Sequence, residues 1–249
     1  MVKSFQTWCA NPKRKTLVMG IVNVTPDSFS DGGKYYKARK AMAYACKLIE
    51  DGADIIDVGG ESTRPGADQV SDSEELKRVV PVIESIRSKF PDTLISIDTM
   101  KSSVAKQAVK AGANIINDVS GLSFDGSMSM TAAKLGVPVI IMHMKGNPRN
   151  MQANPVYEDL INDISSFFIE KIKLAIESGI KAKLIIYCGF AGEIVSQELV
   201  STYRFMHCHA GTLPRFRGST TFYYEILSKH RPAVSCILLD KKIDAGPIL

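Results

Sequence analysis

Five polar side chains stand where predicted strands of this sequence end, and their types suit a flat, charged ligand. They are Asn23, Asp57, Asp98, Asn117 and His143. Any one of them alone could cap a strand end or be a satisfied polar group of the core. Five on successive strands favour a binding site, because parallel strands bring their carboxyl ends to one mouth of the sheet.

Two of these residues suit a heterocycle. Asp98 and Asn117 offer a carboxylate and an amide in a mouth that would be lined by Ile116, Met142 and Met144. A carboxylate is the natural acceptor for adjacent N–H donors. The pair therefore predicts recognition of an amino-pyrimidinone edge.

The segments that follow the first two strands suit phosphate groups and a cation. The run ESTRPG at residues 61–66 supplies a hydroxyl, a backbone turn and a guanidinium, which together would hold a phosphate or pyrophosphate. The neutral side-chain oxygen of Asn23 suits a Mg²⁺ that keeps most of its waters and bridges to phosphate oxygens. The loop at residues 25–33 is longer than a βα turn needs and has Phe29 at its centre, which favours a functional loop.

Alternating strands and helices would position these groups. Ser71 and Glu74 form a capping box that predicts the start of the second helix. No glycine-rich dinucleotide turn follows the first strand, so the prediction is an α/β fold of the TIM (β/α)8-barrel type, with parallel strands and right-handed crossovers. Strands are predicted at residues 17–24, 55–60, 94–98, 114–119 and 137–142, and helices at 38–50, from 71 onward, 102–111, around 132–135, and 157–178.

Composition excludes several classes of protein. The 249 residues are 45% hydrophobic and 23% charged, as in an ordinary globular protein, and no apolar run is long enough to span a bilayer. The net charge of +5 is modest, and lysines such as Lys101, Lys106 and Lys110 are predicted on solvent faces of helices. This charge favours anionic small substrates over nucleic acid. Five cysteines without CxxC spacing and the absence of an export signal predict a reduced, cytoplasmic location.

Five motifs follow one another over about residues 17–182: NVTPDSFSDGG, IIDVGGESTRPGA, SIDT, INDVSG and MHMKGNPRNMQ. In this order they resemble dihydropteroate synthase. The resemblance implies a TIM barrel that condenses 6-hydroxymethyl-7,8-dihydropterin pyrophosphate with p-aminobenzoate, giving 7,8-dihydropteroate and pyrophosphate, with Mg²⁺. The expected partners are these small molecules, and binding to nucleic acid or membranes is not expected. The expected assembly is a homodimer.

The resemblance also implies residue roles. Asn23 would contact the metal, Thr63 and Arg64 the pyrophosphate, and Asp98 and Asn117 the pterin. Asn23, Arg64 and Asp98 are assigned as catalytic. In the family's dissociative chemistry pyrophosphate leaves first, and the aromatic amine traps the pterin methylene cation, so positioning and charge stabilisation carry the catalysis. The remaining expected substrate contacts are Asp57, Phe29 and Pro65.

The resemblance stops near residue 183. The family's DPGxGFGK-type run, a later lysine and a terminal Arg-x-His find no match, and Tyr187 stands near the expected aspartate. The runs HCHAGTLPRFRG at 207–218 and IDAGP at 243–247 resemble instead a formyltransferase that uses 10-formyltetrahydrofolate. His209 and Asp244 match its catalytic pair, whereas His207 occupies the position of its asparagine. Two histidines at i and i+2 on a strand could equally be a metal or core feature.

The expected organisation is therefore a pterin-binding barrel portion at residues 1–182 and a formyltransferase-like fragment at 183–249. The tail reads as β-α-β-α-β, with strands at residues 185–188, 204–207 and 235–239, and is expected to supply the last barrel strands. The alternative is an open barrel with the tail as a small separate α/β lobe. Two other functions stay open: a pterin-binding module without catalysis, and formyl transfer by the tail. A natural fusion, a recombination product or an artefact of gene assembly would each produce such a chain.

Overall fold

A computed structural model describes residues 17–25, 34–63, 67–151, 154–181, 185–187, 205–210 and 234–238. The chain divides into two compact units. The described residues of the first fall within 17–158 and 170–181, and those of the second fall within 159–169 and 182–249. Expectations for Phe29, Arg64, Pro65 and Asp244 fall outside the described residues.

Parallel strands and helices alternate through the first unit, as predicted for an α/β fold. The elements are β1 Met19–Asn23, α1 Lys34–Glu50, β2 Ile55–Gly59, α2 Asp72–Lys89, β3 Leu94–Asp98, α3 Ser102–Ala111, β4 Ile115–Asp118, α4 Met128–Leu135 and β5 Val139–Ile141. The strands form one parallel sheet in the order β1-β2-β3-β4-β5. A fifth helix, α5, spans Leu160–Glu177 and belongs partly to each unit.

The two faces of this sheet carry different residues, because successive side chains of a strand point to opposite sides. One face packs against helices α1 to α4 through fully buried residues such as Ile56, Ile97 and Ile116. The other face has a smaller apolar cluster, built from Ile55, Leu94 and Ile115. Burial on both faces of β2, β3 and β4 explains why these strands read as nearly continuous apolar runs. It also makes any polar residue within them conspicuous.

The residue after β2, Gly60, sets how closely the strand end approaches α2. A Cβ atom there would lie 2.7 Å from Val79 Cγ1 and 3.0 Å from Glu75 Cγ. We expect Gly60→Ala to lower the free energy of unfolding by about 1–3 kcal/mol, because the core must shift to accept the methyl group. Urea denaturation would measure this loss. Gly126→Ala is the matched control, since no atom lies within 4 Å of the added methyl there; an equal loss at both positions would contradict the prediction.

Three strands of the tail form a sheet of their own. They are β6 Ile185–Tyr187, β7 Phe205–Ala210 and β8 Val234–Leu238, in the order β6-β7-β8. Strand β7 runs parallel to β6, but β8 runs antiparallel to β7. The positions of these strands follow the sequence prediction, whereas the antiparallel pair differs from an all-parallel barrel. Apolar patterning indicates a strand but not its direction.

No helix in the described part of the chain is long and apolar enough to cross a membrane.

Candidate functional site

The strand register brings the predicted polar residues into one row. Asn23 pairs with Gly59, Gly59 with Asp98, and Asp98 with Asn117 across β1 to β4. One layer deeper, Asp57 pairs with Ser96. Residues two apart on a strand face the same side, so both layers lie on the sheet face opposite the helix-packed core.

Gly59 allows two side-chain oxygens to approach each other. A Cβ atom at this position would lie 3.2 Å from Asn23 Oδ1 and 3.3 Å from Asp98 Oδ2. Any larger residue would occupy the space between these two oxygens. The structure therefore brings Asn23 and Asp98 together at the carboxyl end of the sheet, as the sequence predicted.

Asp57 lies deeper than predicted. It is the third of the five residues of β2 and not its last, because the strand continues through Val58 and Gly59. Asn117 Nδ2 donates a hydrogen bond to Asp57 Oδ2 at 3.1 Å, with both side chains buried. Asp57 thus fixes which way the Asn117 amide faces.

Four buried oxygens in these two layers have no hydrogen-bond partner in the described structure: Asp57 Oδ1, Ser96 Oγ, Asp98 Oδ1 and Asn117 Oδ1. A buried polar atom without a partner costs about 1–3 kcal/mol, so a group of them needs an explanation. Three of the four are pure acceptors. A bound molecule with several N–H donors would satisfy them.

Sequence reasoning missed Ser96. A small neutral residue within an apolar strand gives no signal by its type. Its spacing does give one, because Leu94, Ser96 and Asp98 alternate along β3 and share the face of the polar row.

Burial and neighbouring charges make the carboxyl groups weak acids. Burial raises the pKa of Asp98 to about 7, and the negative charges of Asp57, Glu75, Asp118 and Glu61 add to this rise. Burial also raises the pKa of Asp57, whereas the nearby polar groups of Ser96 and Asn117 lower it. The Ser96 hydroxyl lies close to the Asp57 carboxylate but forms no hydrogen bond of normal geometry. Near neutral pH, Asp98 can therefore gain or lose a proton.

Asp118 has a structural role, although it belongs to one of the sequence motifs. Its carboxylate accepts hydrogen bonds from Ser120 N at 2.8 Å, Ser120 Oγ at 2.6 Å and Leu122 N at 3.0 Å. These bonds hold the turn that follows β4.

The remaining predicted residues lie in the segments after β2 and β5 and in strand β7. Thr63 is half-buried in the segment after β2. His143 lies two residues beyond β5, and its ring packs against Tyr157 with centroids 5.9 Å apart. His209 lies in β7, where the structure describes the backbone and its pairing. Among described residues no group of three or more His, Cys, Asp or Glu side chains could hold a metal ion.

Lys101 contradicts the sequence prediction of a solvent-exposed lysine. It is only 7% exposed, and it forms ion pairs with Glu61 and Glu75. These carboxylates provide the charge that allows an ammonium group to stay buried. Lys106 and Lys110 are exposed, as predicted.

The described site is a group of hydrogen-bond acceptors at the end of the sheet, and the comparison with known proteins identifies its class. The model of the family described as pterin binding enzyme matches residues 19–209, which is more than half of the chain. The chain belongs to the pterin-binding enzyme family. The match also runs past residue 182, where the motif resemblance was expected to stop.

Several relatives of this pterin-binding chain are dihydropteroate synthases. The enzyme of Bacillus subtilis is 53% identical over 174 residues, covering 70% of this chain and 58% of the relative. The Escherichia coli K12 enzyme is 47% identical over 203 residues, covering 81% of this chain and 71% of the relative. A solved structure of Xanthomonas albilineans dihydropteroate synthase with 4-aminobenzoic acid is 45% identical, with a TM-score of 0.63, and the match covers 71% of this chain and 62% of that one.

The chain spans about three fifths of the length of the first two curated relatives it matches, 58% and 61%. The likeness to solved structures supports the parallel-sheet fold of the first unit.

Proposed function

We propose that this chain is a dihydropteroate synthase-type transferase of folate biosynthesis. It would condense 6-hydroxymethyl-7,8-dihydropterin pyrophosphate with p-aminobenzoate. The observation that carries the proposal is the group of four unpartnered buried oxygens, three of them pure acceptors, at the end of the sheet in a pterin-binding family member. The amino-pyrimidinone edge of a pterin presents the N–H donors that these acceptors lack.

The proposed roles follow the two ends of the pterin substrate. Asp98 and Asn117 bind the ring, and Asp57 orients the Asn117 amide through its 3.1 Å hydrogen bond. Thr63 and Arg64 bind the pyrophosphate. Two further residues border p-aminobenzoate: Phe29 and Pro65.

Asn23 also fits a hard divalent cation. Asn23 Oδ1 lies close to the space above Gly59, and a neutral side-chain oxygen is among the ligands that Mg²⁺ accepts. When bound there with the substrate, Mg²⁺ would neutralise charge on the pyrophosphate. We therefore propose Mg²⁺ as the cofactor.

In the proposed reaction the side chains bind and orient, and none acts as a nucleophile. The C–O bond to pyrophosphate breaks, with the electron pair leaving on pyrophosphate. The amine of p-aminobenzoate forms the new C–N bond to the pterin methylene and loses a proton. The half-buried Asp98 holds the ring throughout, and the guanidinium of Arg64 stabilises the departing charge.

A condensation assay on the purified protein tests this proposal. We expect pyrophosphate to be released from the pterin pyrophosphate only when both p-aminobenzoate and Mg²⁺ are present. Omitting each in turn provides the control. Tight pterin binding without turnover would contradict the catalytic proposal.

That outcome would support the second candidate, a pterin-binding module without catalysis. One observation favours it: Tyr187 stands in the region where the family's sixth-strand aspartate is expected. The acceptor group at Asp98 and Asn117 does not depend on that aspartate.

For the chain as a whole we propose a pterin-binding barrel portion at 1–182 and a formyltransferase-like fragment at 183–249. The runs around His209 and Asp244 support the second assignment. We further propose that the tail supplies remaining elements of a TIM-type barrel through the parallel pair β6 and β7, whereas the antiparallel β8 favours the alternative, a small separate α/β lobe. A homodimer and a cytoplasmic location complete the proposal.

A further inference from the structure

A buried ion-pair cluster lies behind the segment that follows β2. The Lys101 ammonium donates to Glu61 Oε2, to Glu75 Oε2 at 2.6 Å and to the Val70 carbonyl at 2.8 Å. Its three N–H bonds thus have three acceptors. The side chains of the three charged residues are 8% exposed or less.

These contacts join distant parts of the chain. Glu61 lies just beyond β2, Val70 ends the segment that leads to α2, and Glu75 lies in the first turn of α2. Lys101 follows Asp98 by three residues, directly before α3. One ammonium group therefore fixes both ends of segment 61–70 to the strand that carries Asp98.

The charges of the cluster are mutually dependent. Burial lowers the pKa of Lys101, but hydrogen bonds and attraction from Glu61 and Glu75 outweigh it and raise the pKa above its usual value. Burial raises the pKa of Glu75, and Lys101 opposes that rise. Replacing a buried ion pair with apolar residues is often neutral or stabilising, so such a cluster is better explained by the geometry it fixes than by its stability.

We propose that Lys101 is a positioning residue for ligand binding. Its cluster holds the two ends of segment 61–70 and so positions Thr63 to meet the pyrophosphate end of a ligand whose ring lies at Asp98. Lys101 itself does not touch the ligand. The ligand part of this inference rests on the proposed function, whereas the positioning of the segment does not.

Limited digestion with a glutamate-specific protease tests the positioning without a ligand. In Lys101→Met, Glu61 loses its buried partner and turns toward water, so we expect cleavage at Glu61–Ser62 to accelerate by about tenfold or more. Cleavage at Glu84–Ser85, an identical bond within α2, should keep its rate because it requires the helix to unfold. Lys106→Met, which alters an exposed lysine of α3, is the matched control. Unchanged cleavage at residue 61, or equal acceleration at both bonds, would overturn the proposal.

Calorimetry with two probes tests the consequence for binding. The probes are 6-hydroxymethyl-7,8-dihydropterin and its pyrophosphate ester. We expect Lys101→Met to reduce the preference for the ester by about tenfold while leaving affinity for the alcohol nearly unchanged. If that variant does not fold, Glu61→Gln keeps the Lys101–Glu75 pair and should reduce the preference about threefold. Equal losses for both probes would overturn the positioning role. Failure of the unaltered chain to bind either probe would refute the proposed function, and the protease result would still decide the role of Lys101.

Discussion

Asp98→Asn is expected to weaken binding of 6-hydroxymethyl-7,8-dihydropterin by about 30- to 100-fold near pH 8. Above its pKa of about 7, Asp98 is a carboxylate with one buried oxygen that lacks a partner. It can accept two N–H bonds from a pterin ring. An asparagine of the same shape keeps one acceptor and turns an NH₂ group toward the ring donors, so one bond is replaced by a repulsive contact. Isothermal calorimetry would measure the loss.

Two controls separate this effect from a general change in the protein. Asp92→Asn makes the same chemical change at an exposed turn before β3 and should leave binding unchanged. Affinity of the unaltered protein should also fall as pH drops below about 7, since protonation removes an acceptor, while the Asp98→Asn protein should show a flat profile. A parallel pH dependence in both proteins would contradict the assignment of Asp98.

Much of the first unit could be predicted from sequence because its signals are local. The bounds of β3 and α3 agree residue for residue with the prediction. Ser71 caps α2 as expected, accepting a hydrogen bond from Glu74 N at 3.3 Å. Strand β5 is shorter than predicted, three residues instead of six, because an apolar run does not define where pairing ends.

The site could be predicted only where it depends on strand order. Asn23, Asp98 and Asn117 meet because parallel strands align their carboxyl ends, which patterning alone reveals. The Lys101 cluster could not be predicted in this way. Its partners lie 26 and 40 residues away in the chain, and a lysine at the start of an amphipathic helix is by default solvent-exposed.

The unaltered protein is expected to lose about 2–3 kcal/mol of stability between pH 5 and pH 8 through Asp98 alone. The pKa of Asp98 is about 7 in the folded protein, against 3.8 for an aspartate in water, so the folded state binds more protons in this window. The stabilising contribution of the protonated carboxyl is complete below the unfolded pKa and is lost as pH rises through the folded pKa. Burial also raises the pKa of Asp57, Glu75 and Asp118, which act in the same direction.

Urea denaturation of both proteins across this pH range isolates the share of Asp98. We expect Asp98→Asn to be more stable than the unaltered protein near pH 8 and similar to it near pH 5, because only the charged carboxylate is costly to bury. Identical pH dependence would contradict the raised pKa of Asp98. If Asp98 stabilised the fold, its substitution would lower the free energy of unfolding. We expect instead that Asp98→Asn raises the free energy of unfolding near pH 8 and lowers the affinity for the pterin. Opposite effects on stability and binding are typical of a carboxylate whose role is to bind a ligand.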